Sequence, residues 1–511
     1  DSILLLLRQS KLLDRYTSLD NVPTAERTAA ERIVKEMDGL PLALVQAGAY
    51  VEETGCSLTD YLDLYTTRRK DLLAKRSRLL LDYAETVDTT WLLSFQQIEE
   101  QSPAAADVLR LCAFLAADAI PEELLIRGAT ELEAATSVVI TDPFRLIETM
   151  EVLRKYSLLR RNGDTHMLSM HRLVQTVLKE NMNQETQRAW AERTVRVVNA
   201  AFPESDYGAG ANHQYYLQYY LPHVQECATL IEQYHLHFPE ATHLLFQAGV
   251  FLYNYGFYPQ SEALNQQALS IREQVLGREH PATAESLNFL AILARNHGNY
   301  EQSEALHRQA LAIREKTLGS QHFATGESLN NLGVLYRNQG KYERAEPLFQ
   351  QAFSIRKQTL GSDHSETLTT SINLAKLYLE QRKYERAERL LKQSLTAFER
   401  VLDPEHPRIA QNLNLLARLA YEQGEYEQAE VFWKRAIAII ENTLGLENPA
   451  IAESLNSLAE LFFVQGRSAQ AQSYCQRALS VYENAFGSEH PDTISYRQHL
   501  ARIMSKKEEA G

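Results

Sequence analysis

Apolar residues recur at helical spacing through the C-terminal half of the chain, in a pattern that repeats every 42 residues. In the unit 327–361, residues three or four apart give a first helix one apolar face: Leu329, Leu332, Gly333 and Tyr336. A second helix follows with similar spacing on its inner face: Ala345, Leu348, Phe349 and Ala352. This spacing predicts two helices, A and B, with facing apolar sides. The small residue Gly333 is expected to let them approach closely.

Short markers hold the repeats in one register. A glycine ends most A helices, and Arg382 takes the slot of the missing one: Gly256, Gly298, Gly340, Gly424 and Gly466. A histidine, often followed by proline, precedes most A helices, with Asn448 as a variant: His280, His322, His364, His406 and His490. Because these histidines stand one per repeat, we expect them to cap turns and not to bind a metal. Six units are predicted, with A helices beginning near 242, 284, 326, 368, 410 and 452.

One such unit cannot bury its apolar face alone, so neighbouring units must stack. The pattern over about 241–505 resembles the tetratricopeptide repeat, in the long form seen in kinesin light chains and many bacterial sensor proteins. The resemblance implies a right-handed α-solenoid with a last, capping helix within 487–505. It also implies a concave groove, lined by the A helices, that binds a protein or peptide and has no catalytic role.

Polar residues recur on the predicted A helices where stacking would turn them toward this groove. The groove residues that we predict are Asn254, Asn288, Arg295, Asn296, Asn330, Arg337, Asn338, Asn414 and Asn456. Two interpretations of the asparagines stay open, because an amide can bond the neighbouring repeat or the backbone of a bound peptide. The arginines indicate a groove that is basic in its early units, and hence a ligand with an acidic stretch. Ordinary solvated surface is the alternative.

The N-terminal residues 1–75 have the pattern of several helices. One amphipathic helix stops at Asp38, and Pro41 starts the next, since proline is tolerated in a first turn. The stretch EMDGLPLALVQAGAY, followed by SLTDYLDLY, resembles the helical part of an NB-ARC module. That module is the nucleotide switch of plant resistance proteins, apoptosis adaptors and many bacterial signalling ATPases. The resemblance implies that Pro41 contacts the adenine of ADP, with Gly39 and Leu40 alongside; a proline that only starts a helix is the alternative.

Residues 86–180 contain helices and then two short strands, LLRR and HMLSM, around the turn Asn162-Gly163-Asp164. Helices with such a terminal hairpin indicate a winged-helix domain. Its Met170-His171-Arg172 resembles the Met-His-Asp signature of NB-ARC proteins, which implies that His171 meets a phosphate of ADP and leaves the role of Arg172 open. A structural histidine at a strand-to-helix junction is the alternative.

A winged helix can also bind DNA through a recognition helix in the major groove. Here that helix would be 143–155, PFRLIETMEVLRK, which has few basic residues and an apolar bias. DNA binding is therefore the less favoured use of this domain, and nucleic acid is not an expected partner.

The predicted fold is mainly α and has four regions. These are a helical ARC-like subdomain (1–80), a winged-helix domain with a small β-hairpin (81–182), a helical connector with an irregular first hairpin (183–240), and six tetratricopeptide repeats with a capping helix (241–505). Neither a GxxxxGK[ST] loop nor an acidic strand for magnesium is found in the sequence, so no enzyme activity is expected in this chain.

The resemblance to NB-ARC proteins implies the C-terminal, regulatory portion of a bacterial signal-transduction ATPase. The repeat groove would bind a protein or peptide, and the ARC and winged-helix parts would couple that event to an ADP or ATP state. ADP or ATP with magnesium would be bound only in the full-length protein, with no cofactor in this fragment. A stand-alone tetratricopeptide scaffold is the alternative, and a transcription regulator with a repeat sensor is a further one.

Composition narrows this picture. The chain is 44% hydrophobic with a mean hydropathy of −0.35, and it has no run of the ~20 apolar residues that a membrane span needs. A net charge of −14 argues against a general nucleic-acid binder. The four cysteines are far apart and lack CxxC spacing, as expected for reduced thiols in the cytoplasm and not for a metal site. The chain does not begin with methionine, so we expect a fragment whose partners include its own upstream nucleotide-binding domain and, on activation, further copies of itself.

Overall fold

The computed structural model describes residues 2–12, 22–37, 41–73, 87–156, 158–203, 213–488 and 491–509. These residues are mainly helical, and they form two compact units that divide near residue 268, inside one helix. Among the described residues, no helix is both long and apolar enough to cross a bilayer.

Four helices with a shared core open the first unit: α1 (Ser2–Gln9), α2 (Thr24–Glu36), α3 (Pro41–Thr54) and α4 (Leu58–Leu73). Helix α1 packs against α3, and α2 packs against α4. Fully buried side chains of all four helices meet in this core, among them Leu6, Ile33, Leu44 and Tyr65. Glu26 accepts a hydrogen bond from the backbone N–H of Leu58 at 2.9 Å, which ties the start of α4 to α2.

Seven helices and three short strands follow: α5 (Val87–Gln101), α6 (Pro103–Ala113), β1 (Ile120–Pro121), α7 (Glu122–Arg127), α8 (Ala134–Thr141), α9 (Pro143–Lys155), β2 (Arg160–Asn162), β3 (Met167–Ser169), α10 (Arg172–Glu180) and α11 (Gln184–Ala201). The strands form an antiparallel sheet in the order β1-β3-β2, in which Leu168 lies opposite both Ile120 and Arg161. Strands β2 and β3 overlap the two predicted strands. Strand β1 was not expected, because two residues are too few to show an alternating pattern.

Four helices complete the first unit, the last of which continues past residue 268: α12 (His213–Tyr219), α13 (Leu221–Gln233), α14 (Pro239–Asn254) and α15 (Tyr258–Val275). An aromatic cluster joins α11, α12 and α14. The ring of Tyr216 lies 5.0 Å from that of Tyr220 and 6.3 Å from that of Phe251, and Phe251 also contacts Phe202 at 5.7 Å. The aromatic excess of this segment therefore serves packing.

The second unit continues the repeat in alternating A and B helices, followed by one last helix: α16 (Pro281–Asn296), α17 (Tyr300–Leu318), α18 (Phe323–Asn338), α19 (Tyr342–Leu360), α20 (Ser365–Glu380), α21 (Tyr384–Val401), α22 (Pro407–Glu422), α23 (Tyr426–Leu444), α24 (Ala452–Val464), α25 (Ser468–Phe486) and α26 (Pro491–Glu509). Each A helix packs on its own B helix and contacts the next A helix. The stacking is solenoid-like, as the sequence predicts, and α26 occupies the place of the expected last helix.

Most A helices begin three residues earlier than predicted, at 281, 323, 365 and 407, because the capping histidine directly precedes them. The Nδ1 atom of His280 accepts a hydrogen bond from the backbone N–H of Ala282 at 3.1 Å. The same bond is made by His322, His364 and His406, and by the amide oxygen of Asn448. The predicted capping role is confirmed for these residues.

The turns between helices A and B need a left-handed backbone. Gly340 has φ +71° and its N–H donates to the carbonyl of Arg337 at 2.9 Å, which ends α18. Arg382 holds the same place with φ +59°, a conformation that costs a residue with a Cβ atom more than it costs glycine. Close helix approach is also confirmed, since a Cβ on Gly333 would lie 2.9 Å from the ring of Phe349.

A buried arginine joins each of three early B helices to the A helix that follows, and the sequence did not single it out. Arg314 on α17 is 3% exposed, and its Nη1 donates to the carbonyl of Ala324 at 2.8 Å and to Ser328 Oγ at 2.9 Å. Arg272 and Arg356 make the equivalent pairs of bonds. The later repeats hold apolar or aromatic side chains at this position: Phe398, Ile440 and Tyr482. The signal was present as an Ile-Arg pair recurring every 42 residues.

Candidate functional site

The side of the second unit formed by α16, α18, α20, α22, α24 and α26 is called the A face. Asn288 on α16, one of the predicted groove residues, is 2% exposed. Its Nδ2 donates to Oε1 of Glu327 on α18 at 3.1 Å, and its Oδ1 lies 2.6 Å from Nδ1 of His307 on α17. This amide therefore ties its own repeat to the next one.

The other three asparagines of this position also bond a neighbouring A-face helix. Asn330 Oδ1 accepts from Asn373 on α20 at 3.0 Å, and Asn414 Oδ1 accepts from the hydroxyl of Ser454 on α24 at 2.7 Å. Asn456 Oδ1 lies 2.6 Å from Nδ1 of His499 on α26. These bonds favour the interpretation in which the amides join repeats, because a bonded amide oxygen has less capacity left for a ligand.

Arg295 and Arg337 lie in the last turns of α16 and α18. Each donates from Nη2 to the amide oxygen of the residue that follows it, Asn296 or Asn338. The Arg337 side chain is 14% exposed, and its Nε lies 3.8 Å from a carboxylate oxygen of Glu380 on α20. Within the described part of the chain, Arg295 Nε and Arg337 Nη1 are buried and have no hydrogen-bond partner. Both arginines therefore keep a donor that none of the described residues satisfies.

Two further cations lie on this face and were not predicted from the sequence. Lys376 on α20 and Arg418 on α22 are 42 residues apart, one helical turn before the position that Arg337 holds in its own repeat. Lys376 is half-buried and Arg418 is exposed, and neither forms an ion pair with any residue that the structure describes. Burial lowers the pKa of Lys376, and the charges of Arg337 and Arg418 act in the same direction, while the carboxylates of Glu453 and Glu380 oppose them. The repeat spacing was the signal that could have found them.

A cleft of about 510 Å³ opens at the C-terminal end of the A face, between α22, α24 and α26. Two aromatic side chains line it, Tyr421 and Trp433, with ring centroids 6.0 Å apart. Neutral polar side chains line it too: Asn456, Ser457, Ser495 and Gln498. Such groups can donate to and accept from the backbone of a bound segment. The size is in the range of ligand-binding clefts.

The charged groups of this cleft are mostly paired with one another. Glu460 pairs with Arg502, and its carboxylate lies 2.6 Å from Nε2 of His499. Burial lowers the pKa of His499, and Arg502 acts in the same direction while Glu460 opposes it. Arg418 is the cation of the cleft without such a partner among the described residues.

The residues expected to contact a nucleotide are in the first unit. Pro41 is the first residue of α3, as predicted, while Gly39 and Leu40 lie outside the described residues. His171 lies between β3 and α10, where its Nδ1 accepts from the backbone N–H of Leu173 at 3.2 Å and caps α10. Arg172 is exposed at the start of that helix. A contact of Pro41 or His171 with ADP stays a prediction.

The remaining chemistry is limited within the described ranges. Asn254, a predicted groove residue, is the exposed last residue of α14 and belongs to the first unit. No group of three or more His, Cys, Asp or Glu side chains among the described residues could hold a metal ion. Burial raises the pKa of the Cys112 thiol to about 12, which suits packing and not reactivity.

Comparison with known families agrees with this geometry. The tetratricopeptide repeat family matches residues 240–316, 290–358, 324–400, 366–442 and 450–510, which together cover just over half of the chain. The chain belongs to the tetratricopeptide repeat family. A second family, described as a domain of unknown function (DUF7779), matches residues 96–187.

A nucleotide-binding leucine-rich repeat (NLR)-like protein of Hyaloscypha variabilis is 30% identical to the chain over 276 residues. The match covers 51% of this chain and 26% of that protein, so the chain spans about a quarter of its relative.

Three solved structures are similar to parts of the chain. A kinesin light chain with nearly identical TPR-like repeats from Podosopora anserina is 27% identical, covers 40% of this chain and 97% of that one, and has a TM-score of 0.35. BtubC (BKLC) of P. vanneervenii is 23% identical over 46% of this chain and 94% of that one, with a TM-score of 0.38. Aspartyl phosphate phosphatase F of Bacillus subtilis is 14% identical over 71% of this chain and 92% of that one, with a TM-score of 0.43.

Proposed function

We propose that this chain is the sensor and regulatory portion of an NB-ARC-type signal-transduction protein. Its tetratricopeptide repeats bind a protein or peptide on the A face. Its N-terminal half, interpreted as an ARC-like subdomain and a winged-helix domain, couples that binding to the nucleotide state of the whole protein. The repeat array is the observation that carries the proposal, because stacked repeats present an extended surface of the kind that binds a protein segment.

The A face supports the binding role in two ways. Its C-terminal cleft combines two aromatic side chains with neutral polar groups, which suits a peptide with both side chains and backbone to bury. Its first two helices, α16 and α18, carry arginines whose buried donors have no acceptor within the described residues. Unsatisfied buried donors are costly, and the positive charge of these guanidinium groups would attract an acidic segment.

The link to a nucleotide switch rests on other grounds. The relative from Hyaloscypha variabilis is described as nucleotide-binding, and it is about four times as long as the part that this chain spans. The sequence around Pro41 and His171 resembles NB-ARC modules, and both residues stand at helix starts in the structure. The phosphate-binding loop would lie in a part of the protein outside these 511 residues.

The binding role can be tested by filling the cleft. Ser457→Trp places a bulky side chain in the cleft, whereas Leu446→Trp changes a side chain that is 61% exposed outside it. With the full chain as bait in an extract of the source cells, we expect a discrete partner to be retained by the wild type and by Leu446→Trp, and to be lost from Ser457→Trp. Equal retention by all three chains would contradict binding in this cleft of the A face.

The nucleotide role can be tested with a fluorescent ADP analogue titrated with the chain. Because no phosphate-binding loop is found in this sequence, we expect no saturable binding below roughly 1 mM, that is, weaker than about −4 kcal/mol. Saturable micromolar binding by the wild-type chain would contradict that expectation. If His171→Ala then abolished the binding and His166→Ala did not, His171 would be a nucleotide contact; the His166 side chain is 67% exposed on the loop between β2 and β3.

A further inference from the structure

We propose that four cations of the A face form one binding stripe for an acidic, extended segment of a partner protein. The stripe consists of Arg295, Arg337, Lys376 and Arg418, one from each of α16, α18, α20 and α22. The inference rests on the proposed binding role of the repeats and names the chemistry of the ligand. Two of the four, Lys376 and Arg418, do not stand at the repeat position that Arg295 and Arg337 share.

Contacts across the helices put the four side chains on one surface. Arg337 on α18 lies 3.8 Å from Glu380 on α20, and Glu380 stands one turn after Lys376 on the same helix. Lys376 and Arg418 hold equivalent positions on neighbouring A helices. Burial lowers the pKa of Arg337, Glu380 opposes this shift, and the nearby charges of Arg295 and Arg418 add to it. Like charges are therefore held together on this face.

The described residues neutralise this stripe only in part, through Glu380 beside Arg337 and the charges of Glu380 and Glu453 near Lys376. Lys376 and Arg418 form no ion pair with the described residues, and Glu380 is the one carboxylate within 4 Å of Arg337 among them. Buried donors of Arg295 and Arg337 also lack acceptors in the described part of the chain. Clustered like charges and unsatisfied donors both cost stability. In a chain of net charge −14, such a cluster suits a ligand that brings the missing negative charges.

The surroundings favour a protein segment with an exposed backbone over a helix or a nucleic acid. The stripe leads into the cleft through Arg418, and there Asn456, Ser457 and Gln498 present neutral donors and acceptors. The backbone N–H and C=O groups of an extended segment are free to bond such side chains, whereas those of a helix already bond one another. A nucleic acid would meet long-range repulsion from the net charge of the chain, and the four cations of the stripe would offer it few phosphate contacts.

The spacing of the helices sets the spacing of the acidic residues. Packed helices lie about 10 Å apart, and an extended chain advances about 3.3 Å per residue. One acidic residue in every three would therefore meet one A helix after another. The probe that follows is a fluorescein-labelled peptide of sequence (Glu-Ser-Gly)4, with (Gln-Ser-Gly)4 as its neutral match.

The test is fluorescence anisotropy of these peptides titrated with the full chain. We expect (Glu-Ser-Gly)4 to bind and the neutral peptide not to bind. Lys376→Gln with Arg418→Gln should weaken binding roughly tenfold, because two partly desolvated charge pairs are lost. Lys434→Gln with Arg435→Gln removes the same charge from exposed positions of α23, where both cations already have carboxylate partners, and should leave affinity unchanged.

Three outcomes would overturn the stripe. The stripe variant and the α23 control variant could weaken binding equally, which would mean that only the net charge of the chain matters. The neutral peptide could bind as tightly as the acidic one. A labelled oligothymidylate of twelve nucleotides could bind more tightly than either, which would make the ligand a nucleic acid. A stripe that fails in the first two ways leaves binding at the cleft intact, since loss of a partner from Ser457→Trp does not depend on these charges.

Discussion

The early and late repeats of the second unit solve the same packing problem with different chemistry. In the early repeats, Arg314 and Arg356 cross from a B helix to the next A helix and bond a carbonyl and a hydroxyl. In the late repeats, Phe398 and Ile440 occupy that position and are 1% and 3% exposed. One core of buried apolar side chains there includes residues from Leu368 to Ile503. The early repeats contain two small clusters, and a separate larger cluster joins Leu332 to Leu419.

The difference teaches how a repeat protein can vary its interior and keep its geometry. An arginine with directed bonds fixes one distance and angle, while a phenylalanine stabilises through buried area. Buried ionic groups often add little net stability over a well-packed apolar replacement, although removing one partner is costly. The early repeats are therefore expected to be more sensitive to the loss of one buried donor, and the late repeats to loss of volume.

The largest expected effect is a cavity in the late core. Phe398→Ala should lower the free energy of unfolding by about 4 kcal/mol, since it removes a fully buried ring and leaves a void. Urea denaturation followed by circular dichroism measures this. If Phe398→Ala lowered the free energy of unfolding by less than Arg356→Met does, the comparison between late and early repeats would be reversed.

The second-largest expected effect is a loss of stability of the early repeats in acid. His307 is fully buried against Asn288, and burial, helped by Arg295 and Arg314, lowers its pKa to about 3. The unfolded chain takes up this proton near pH 6.5 and the folded chain does not, so stability present above pH 6.5 is lost as pH falls toward 3. The loss should reach roughly 3 kcal/mol at pH 4.

The contribution of His307 can be isolated with His307→Leu, because Leu391 fills the equivalent place opposite Ala375. The free energy of unfolding of the wild type minus that of the variant should fall by roughly 3 kcal/mol from pH 7 to pH 4. His223 in the first unit, whose pKa burial lowers to about 4, cancels in that difference. A difference that does not change with pH would show that His307 is not held neutral.

Removing one buried arginine should cost somewhat less than the cavity. Arg356→Met keeps the length of the side chain but leaves the carbonyl of Glu366 and the hydroxyl of Thr370 without this donor. A loss of roughly 2 kcal/mol is expected, because the Glu366 carboxylate is 44% exposed and can be solvated. Arg344→Met, on the exposed side of α19, is a control that should change stability by less than about 0.5 kcal/mol.

The smallest expected effect is a gain. Arg382→Gly should stabilise the chain by up to about 1 kcal/mol, because the turn backbone already has φ +59° and glycine accepts that conformation. Gly340→Arg is the reciprocal change, at φ +71°, and should destabilise by a similar amount. Thermal unfolding of both variants checks the pair, and a destabilised Arg382→Gly would mean that the arginine side chain contributes more than the turn costs.

Much of the second unit was predictable because its signals are local and repeated. The capping bonds of His280 and its counterparts, the turn at Gly340 and the close contact at Gly333 each follow from one residue type in a fixed register. Most A helices begin three residues before their predicted starts, because each helix begins directly after its capping residue.

What could not be predicted depends on which side chains meet across helices. The Asn288 amide reaches Glu327 and His307, and no pattern within α16 announces those partners. Lys376 and Arg418 were not predicted because the two earlier repeats carry Ile292 and Val334 at that position and the next repeat carries Glu460, so the positive charge spans two repeats only. For the nucleotide contacts, Pro41 and His171 each have a local role as a helix start or cap, which sequence cannot separate from a ligand contact.

The central claim is that the A face receives a protein segment, and site-specific crosslinking tests it most directly. A photoreactive benzoylphenylalanine is placed at Ser457 in the cleft and, in a second chain, at Leu446 outside it. We predict that in extracts of the source cells Ser457 captures one discrete protein, through an acidic peptide identified by mass spectrometry, and that Leu446 does not. Capture of the same proteins in equal yield from both positions would contradict the account.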